Sequence, residues 1–255
     1  MSRAPARQTG RQGSGVGEDG VAPERHKWGK IGKSIGLNTE AKKDVYLELG
    51  LKRSVISGTA RARLSEMKRI AVYCGSNRGT RADYATAATQ LGKHLARRGL
   101  ELVYGGGCVG LMGILADAAL QNGGHVIGVI PEKLVIKEVV HEGLPDLRVV
   151  KNMHERKALI AELADGFIAL PGGYGTYEEF CEVLAWSQLG YHQKPFGLLE
   201  VAGFYRGLLE FFDHATREGF VRPNHRELVL VEEDPEKLLR RLEAFQPPAE
   251  VKWVR

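Results

Sequence analysis

From residue 69 onward the chain alternates two textures. Short, nearly continuous apolar runs cover residues 70–74, 100–104, 125–130, 166–170, 196–199 and 228–231. Between them lie segments whose apolar positions recur every three or four residues. Tyr84, Ala88, Leu91 and Leu95 form one such face, Leu111, Leu115, Ala118 and Ala119 a second, and Phe180, Val183, Leu184 and Leu189 a third. A short run that is apolar at every position predicts a strand buried on both faces, and the three-to-four spacing predicts an amphipathic helix. Gly99 and Gly123-Gly124 stop the first two helices, and Pro131 ends the third strand. Asn152, with Glu155 three residues on, is a good helix N-cap. Further helices are predicted over residues 204–216 and 235–242, and a looser segment after Pro131 leads to a short apolar piece at residues 147–150. Buried strands alternating with helices predict an α/β fold, a doubly wound, Rossmann-like parallel sheet with helices on both faces, over residues 67–245. Residues 246–255 read as a C-terminal tail.

The first 66 residues have a different character. Residues 1–30 are rich in Gly, Arg, Gln and Ser and almost free of apolar side chains, so disorder is expected. In residues 31–66, Val45, Leu47, Leu49 and Leu51 sit among charges, which fits either a short docked helix or a basic extension. Met67, directly before the first core strand, is a candidate start of the protein proper. The net charge of +5 belongs to this segment: residues 1–68 hold 14 Lys/Arg against 7 Asp/Glu, and the remainder 22 against 24. A nearly neutral body argues against nucleic acid as a partner. No apolar stretch approaches the ~20 residues that span a bilayer, so no membrane partner is expected. Three widely spaced cysteines, Cys74, Cys108 and Cys181, predict neither a disulfide framework nor a zinc site, and fit a cytoplasmic protein.

Doubly wound sheets bind ligands at the carboxyl ends of their strands. Three glycine-bearing turns fall there: Gly75-Ser76-Asn77, residues 105–110, and Pro171-Gly172-Gly173-Tyr174-Gly175-Thr176. A strand, a glycine turn and a helix start make an anion site, because the first helical amides lack internal partners and glycine lets them approach a phosphate. Residues 105–110 also satisfy G-x-G-x-x-G, with Glu132 at the spacing of a ribose ligand, which opens a dinucleotide reading. That loop follows the second strand rather than the first, and tight turns take glycine for steric reasons alone. Thr176-Tyr177-Glu178-Glu179 reads locally as a capping box, with Thr176 as N-cap and Glu179 reaching back to its amide. The alternative is a carboxylate aimed at a sugar, useful where positive charge develops during glycoside cleavage. Arg156 and Lys157 stand near a helix N-terminus, where cations are disfavoured unless an anion is close. His154 has no Ser or Cys with a matching signature and reads as structural or ligand-orienting.

The ordered set of Tyr73-Cys74-Gly75-Ser76, the glycine turn leading to Gly110-Leu111-Met112-Gly113, Gly128-Val129-Ile130-Pro131, Met153-His154-Glu155-Arg156-Lys157 and P-G-G-x-G-T-x-x-E over residues 171–179 resembles the Lonely Guy family. These are cytokinin riboside 5′-monophosphate phosphoribohydrolases, formerly labelled lysine decarboxylases. The resemblance runs from about Arg69 to Val231 and leaves the first 66 residues uncovered. It implies hydrolysis of the N-glycosidic bond of a nucleoside 5′-monophosphate, a cytokinin nucleotide or AMP, without metal or redox cofactor, by a homodimer. Arg156 and Glu179 would be catalytic. Gly172, Gly173, Tyr174, Gly175 and Thr176 would hold the phosphate, and Ser76, Gly106, Gly107, Met112, Glu138 and Lys157 would complete the substrate contacts. Plant members commonly have Thr where this chain has Ala185, which puts base preference in question. A non-catalytic nucleotide or cofactor carrier, a dehydrogenase using residues 105–110, and a pyridoxal-phosphate decarboxylase using Lys157 are the competing readings.

Overall fold

The structure, a computed structural model, describes residues 67–135 and 140–248. The expectations for residues 1–66, for Glu138 and for residues 249–255 lie outside the described residues. In order, the elements are β1 (Arg69–Tyr73), α1 (Ala82–Arg97), β2 (Glu101–Tyr104), α2 (Gly110–Gln121), β3 (Val126–Pro131), α3 (Glu132–Val135) and β4 (Asp146–Val150). There follow α4 (Met153–Leu163), β5 (Gly166–Ala169), α5 (Tyr174–Leu189), β6 (Phe196–Leu199), α6 (Arg206–Arg217), α7 (Pro223–Arg226), β7 (Val229–Glu232) and α8 (Pro235–Glu243). The strands form one parallel sheet in the order β4-β3-β2-β1-β5-β6-β7.

The expected doubly wound architecture is therefore present. Within β1, β2, β3 and β5 the side chains alternate between two cores, as the period of two requires. Ile70, Val72, Leu102, Tyr104, Val126 and Ile168 pack with Leu91, Leu95 and Leu115 of α1 and α2 and with Leu238 of α8. Ala71, Tyr73, Val103, Val129, Phe167 and Ala169 pack with Ile160 of α4, Phe180 and Val183 of α5, and Tyr205. Gly92 lets α1 and α2 close together: a Cβ there would lie 2.5 Å from the Leu115 carbonyl oxygen.

Two features depart from the sequence pattern. Residues 147–150 belong to an edge strand, with β3 as its neighbour, so Leu147 is 37% and Val149 52% exposed rather than buried. The short helices α3 and α7 left no apolar period because four residues barely complete one turn.

Chain direction places the site. From β1 the chain winds outward through β2, β3 and β4, then returns to the other side of β1 with β5. The switch point thus lies between the carboxyl ends of β1 and β5, where doubly wound sheets open a crevice.

Candidate active site

At the switch point three turns are tied together by backbone hydrogen bonds. Gly75 N–H donates to the Pro171 carbonyl at 3.0 Å, Leu170 N–H to Tyr73 at 2.9 Å, and Leu111 N–H to Gly75 at 3.0 Å. Close approach explains two glycines here. A Cβ at Gly172 would sit 2.1 Å from Thr176 Oγ1 and 2.9 Å from Gly75 N, and one at Gly110, whose φ is +62°, would sit 2.2 Å from the Ser76 carbonyl carbon. The third position of the G-x-G-x-x-G pattern is therefore needed for packing against the β1 turn. Tyr205, through its hydroxyl, donates to the Leu170 carbonyl at 2.6 Å and fixes the turn from the α6 side.

α5 starts earlier than the local T-x-x-E pattern predicts. Its N-cap is Gly173, and Thr176, only 3% exposed, is its third residue. Thr176 is thus not the cap, and the capping-box reading is overturned. The first intrahelical bond of this turn runs from Tyr177 N–H to the Gly173 carbonyl at 3.1 Å. The amides of Tyr174, Gly175 and Thr176 precede it at the positive end of the helix dipole, beside Gly172 and Gly173. Tyr174, Gly175 and Ser76 are exposed at this mouth.

Glu179 does not reach back to the helix start. It accepts a hydrogen bond from Arg156 Nη1 at 2.8 Å, in a pair whose side chains are both about nine-tenths buried. Arg156 is held on a second side by donating from Nε to the Val129 carbonyl at 3.0 Å. Gly105 supplies the remaining room: a Cβ there would lie 2.0 Å from Arg156 Nη2, with Met112 Sδ at 3.4 Å. Burial raises the Glu179 carboxyl above the usual glutamate range, and Arg156 works against that rise. Beneath the pair, burial pushes the Tyr73 phenol and the Cys74 thiol up, which works against Cys74 as a nucleophile.

α4 presents the pair because its start is well capped. Asn152 accepts from Glu155 N–H at 3.0 Å, and Glu155 accepts from Lys151 N–H and from the Asn152 amide, both at 3.0 Å. At its far end, Lys194 Nζ donates to the Ala161 carbonyl at 2.6 Å. Lys157 lies beside Arg156 but is engaged by Glu178 and, at 3.1 Å, by Glu182. The hydrogen bond to Glu178 raises its pKa. A Schiff-base lysine needs the opposite shift, so the decarboxylase reading has no support from this residue.

Gly106 and Gly107 are buried behind this arrangement. The Gly106 carbonyl accepts from His141 N–H at 3.0 Å, and Gly107 bridges Val140. His141 Nδ1 accepts from Gly143 N–H, which leaves Nε2 to donate to Asp117 at 3.0 Å. His154 and Glu132 are exposed. Ala185 lies farther along α5, in an apolar groove of about 190 Å³ with Cys181, Leu184, Phe212 and Val221.

Sequence reasoning named Arg156, Glu179 and the glycine turn, which the structure brings together, but not the supports of the pair. Gly105 and Val129 act on Arg156 across the sheet, and no local pattern carries such a contact. Glu182 had a usable signal: it stands four residues after Glu178, on the same helix face.

A family model described as possible lysine decarboxylase matches residues 112–242. Among relatives, the cytokinin riboside 5′-monophosphate phosphoribohydrolase LOG of Oryza sativa subsp. japonica is 50% identical over 192 residues, 75% of this chain and 79% of that one. An Arabidopsis thaliana protein of the same enzyme name is 49% identical over 183 residues, 72% of this chain and 84% of its own. Among solved structures, a molybdenum cofactor binding protein of Rippkaea orientalis aligns with a TM-score of 0.55 at 24% identity, over 71% of this chain and 98% of that one. The molybdenum cofactor carrier protein of Chlamydomonas reinhardtii aligns equally well, with a TM-score of 0.55 at 24% identity over 71% and 100%. At that identity the two structures show the fold alone.

Proposed function

This chain belongs to the cytokinin riboside 5′-monophosphate phosphoribohydrolase family, and from that premise we propose how it hydrolyses the N-glycosidic bond of a nucleoside 5′-monophosphate to free base and ribose 5-phosphate. The observation that carries the mechanism is the buried Arg156–Glu179 pair beside a glycine turn that opens a helix. The 5′-phosphate binds the amides of residues 172–176 and fixes the ribose. Glu179 then faces the sugar as a carboxylate. It stabilises the oxocarbenium-like transition state and orients water toward the anomeric carbon. Arg156 holds that carboxylate in place and balances charge as the base departs. Ser76 and Met112, at the rim of the same crevice, complete the substrate contacts with Gly106, Gly107 and Glu138.

The reading extends to setting and assembly. A cytosolic location is supported by three unpaired thiols. A homodimer is supported by the apolar groove beside α5 and by the exposed rings of Phe211 and Phe220. The near-neutral charge of residues 69–255 speaks against nucleic acid as a partner. We assign residues 67–245 to the catalytic domain, with residues 1–66 as a basic extension.

The test is direct. The protein is incubated with AMP and with N6-isopentenyl-AMP, and free base and ribose 5-phosphate are assayed. Release from either supports the reading, and the ratio of kcat/KM values names the preferred base. Clean nucleotide binding with no release from either sinks the hydrolase and leaves a carrier.

A further inference from the structure

The resemblance groups Lys157 with the substrate contacts, yet its ammonium is taken up within the protein. Nζ is hydrogen-bonded to Glu178 and Glu182, and the side chain is only 12% exposed. Those two carboxylates flank Glu179 on α5, next to the turn that receives a phosphate. Without Lys157, one guanidinium would face three carboxylates and a dianionic ligand. The charged and titratable groups around Glu179 are Arg156 and Lys157 from α4, Tyr73 at the end of β1 and Cys74 just after it, and Glu178 and Glu182 along its own helix. Burial, the largest influence, raises the Glu179 carboxyl, Arg156 and Lys157 lower it, and Glu178 raises it further, while burial keeps Tyr73 and Cys74 protonated.

We propose that Lys157 is a positioning residue: it binds Glu178 and Glu182, and so keeps their charge off Glu179 and off the phosphate instead of serving as a phosphate ligand. The electrostatic part stands on the geometry alone, and its effect on turnover rests on the hydrolase reading. Glu178 raises the Glu179 carboxyl, and Lys157 opposes the rise. Removing the cation leaves both carboxylates uncompensated, so Glu179 ionises at higher pH. Removing the cation and both carboxylates together relieves the effect. A phosphate ligand behaves differently, because its loss is not repaired by deleting carboxylates.

The experiment follows the Glu179 side-chain carboxyl by 13C NMR in glutamate-labelled protein, with Glu179→Gln to assign the resonance. The expected titration midpoint rises by about one pH unit in Lys157→Met. It returns toward wild type in Lys157→Arg and in the triple variant Lys157→Met, Glu178→Gln, Glu182→Gln. Thermal unfolding of each variant shows that the midpoints come from folded protein, and Lys157→Arg keeps the charge should Lys157→Met fail to fold. In parallel, the acid limb of kcat for AMP moves to higher pH in Lys157→Met and returns in the triple variant. An unchanged Glu179 midpoint in Lys157→Met overturns the proposal. So does a rise in KM that the triple variant fails to repair, which would make Lys157 a phosphate ligand. Wild-type protein that releases no base overturns the hydrolase reading instead, with the titration midpoints still readable.

Discussion

A methyl group at position 105 is expected to disturb the site more than most larger changes at the surface. Arg156 is fixed at Val129 and at Glu179, so the atom that must give way to a Cβ is the Nη2 lying 2.0 Å from it. Gly105→Ala should therefore lower kcat for AMP by about tenfold or more, the equivalent of about 1.4 kcal/mol in the transition state, with a smaller change in KM. Steady-state kinetics decides this, and an unchanged kcat would separate Gly105 from the pair. Glu179→Gln should abolish base release while nucleotide binding, followed by calorimetry, is largely preserved. Arg156→Ala strands a buried carboxylate and should cost about 3 kcal/mol in urea unfolding. The pH dependence follows from the same burial. The folded protein raises the Glu179 pKa, and the proposed mechanism uses the ionised form, so activity should be present above that pKa and lost as pH falls through it. The acid limb should lie above the ordinary glutamate value of about 4.3.

Elements governed by local chemistry were legible, and those governed by distant contacts were not. The run at residues 196–199 reads as a strand because both faces of β6 are buried, and the α4 start reads correctly because Asn152 and Glu155 cap it within one turn. β4 escaped because an edge strand half-exposes its apolar residues. The start of α5 was misplaced for a different reason. Thr176 and Glu179 have the right spacing for a capping box, but the glycine turn lets the helix begin at Tyr174, and Arg156 draws Glu179 away. The crowding of the turns supplies a test at this scale. Gly110→Ala combines a positive φ with a backbone clash that no side-chain rotation relieves. It should destabilise the protein by about 3 kcal/mol, a drop in Tm of roughly 6–12 °C for a domain of this size.

Across the whole molecule, charge is unevenly divided along the chain. The basic excess lies in residues 1–68, and the first described strand begins at Arg69. A protein beginning at Met67 should keep its helical far-UV circular dichroism and its kcat for AMP within about twofold, because the crevice residues among the described ones all lie after residue 68; this boundary is a proposal that the truncated protein tests directly. Loss of base release from a well-folded truncated protein would bring the extension into the catalytic unit. Gel filtration of the same protein tests the proposed homodimer, since the groove beside α5 lies within residues 69–248.

The stitch between Gly75 and Pro171 also has a consequence for the order in which the protein assembles. β1, β2 and β3 succeed one another along the chain and are joined by α1 and α2, so their contacts close short loops. Pairing β1 with β5 closes a loop of about a hundred residues, which is entropically dearer and slower. The glycine turn at residues 171–176 is stitched to the β1 turn only when that long loop has closed. On dilution from urea, helical signal should return before nucleotide binding, and binding should follow the slowest refolding phase. A nascent chain still lacking β5 would carry half of the crevice and none of the activity.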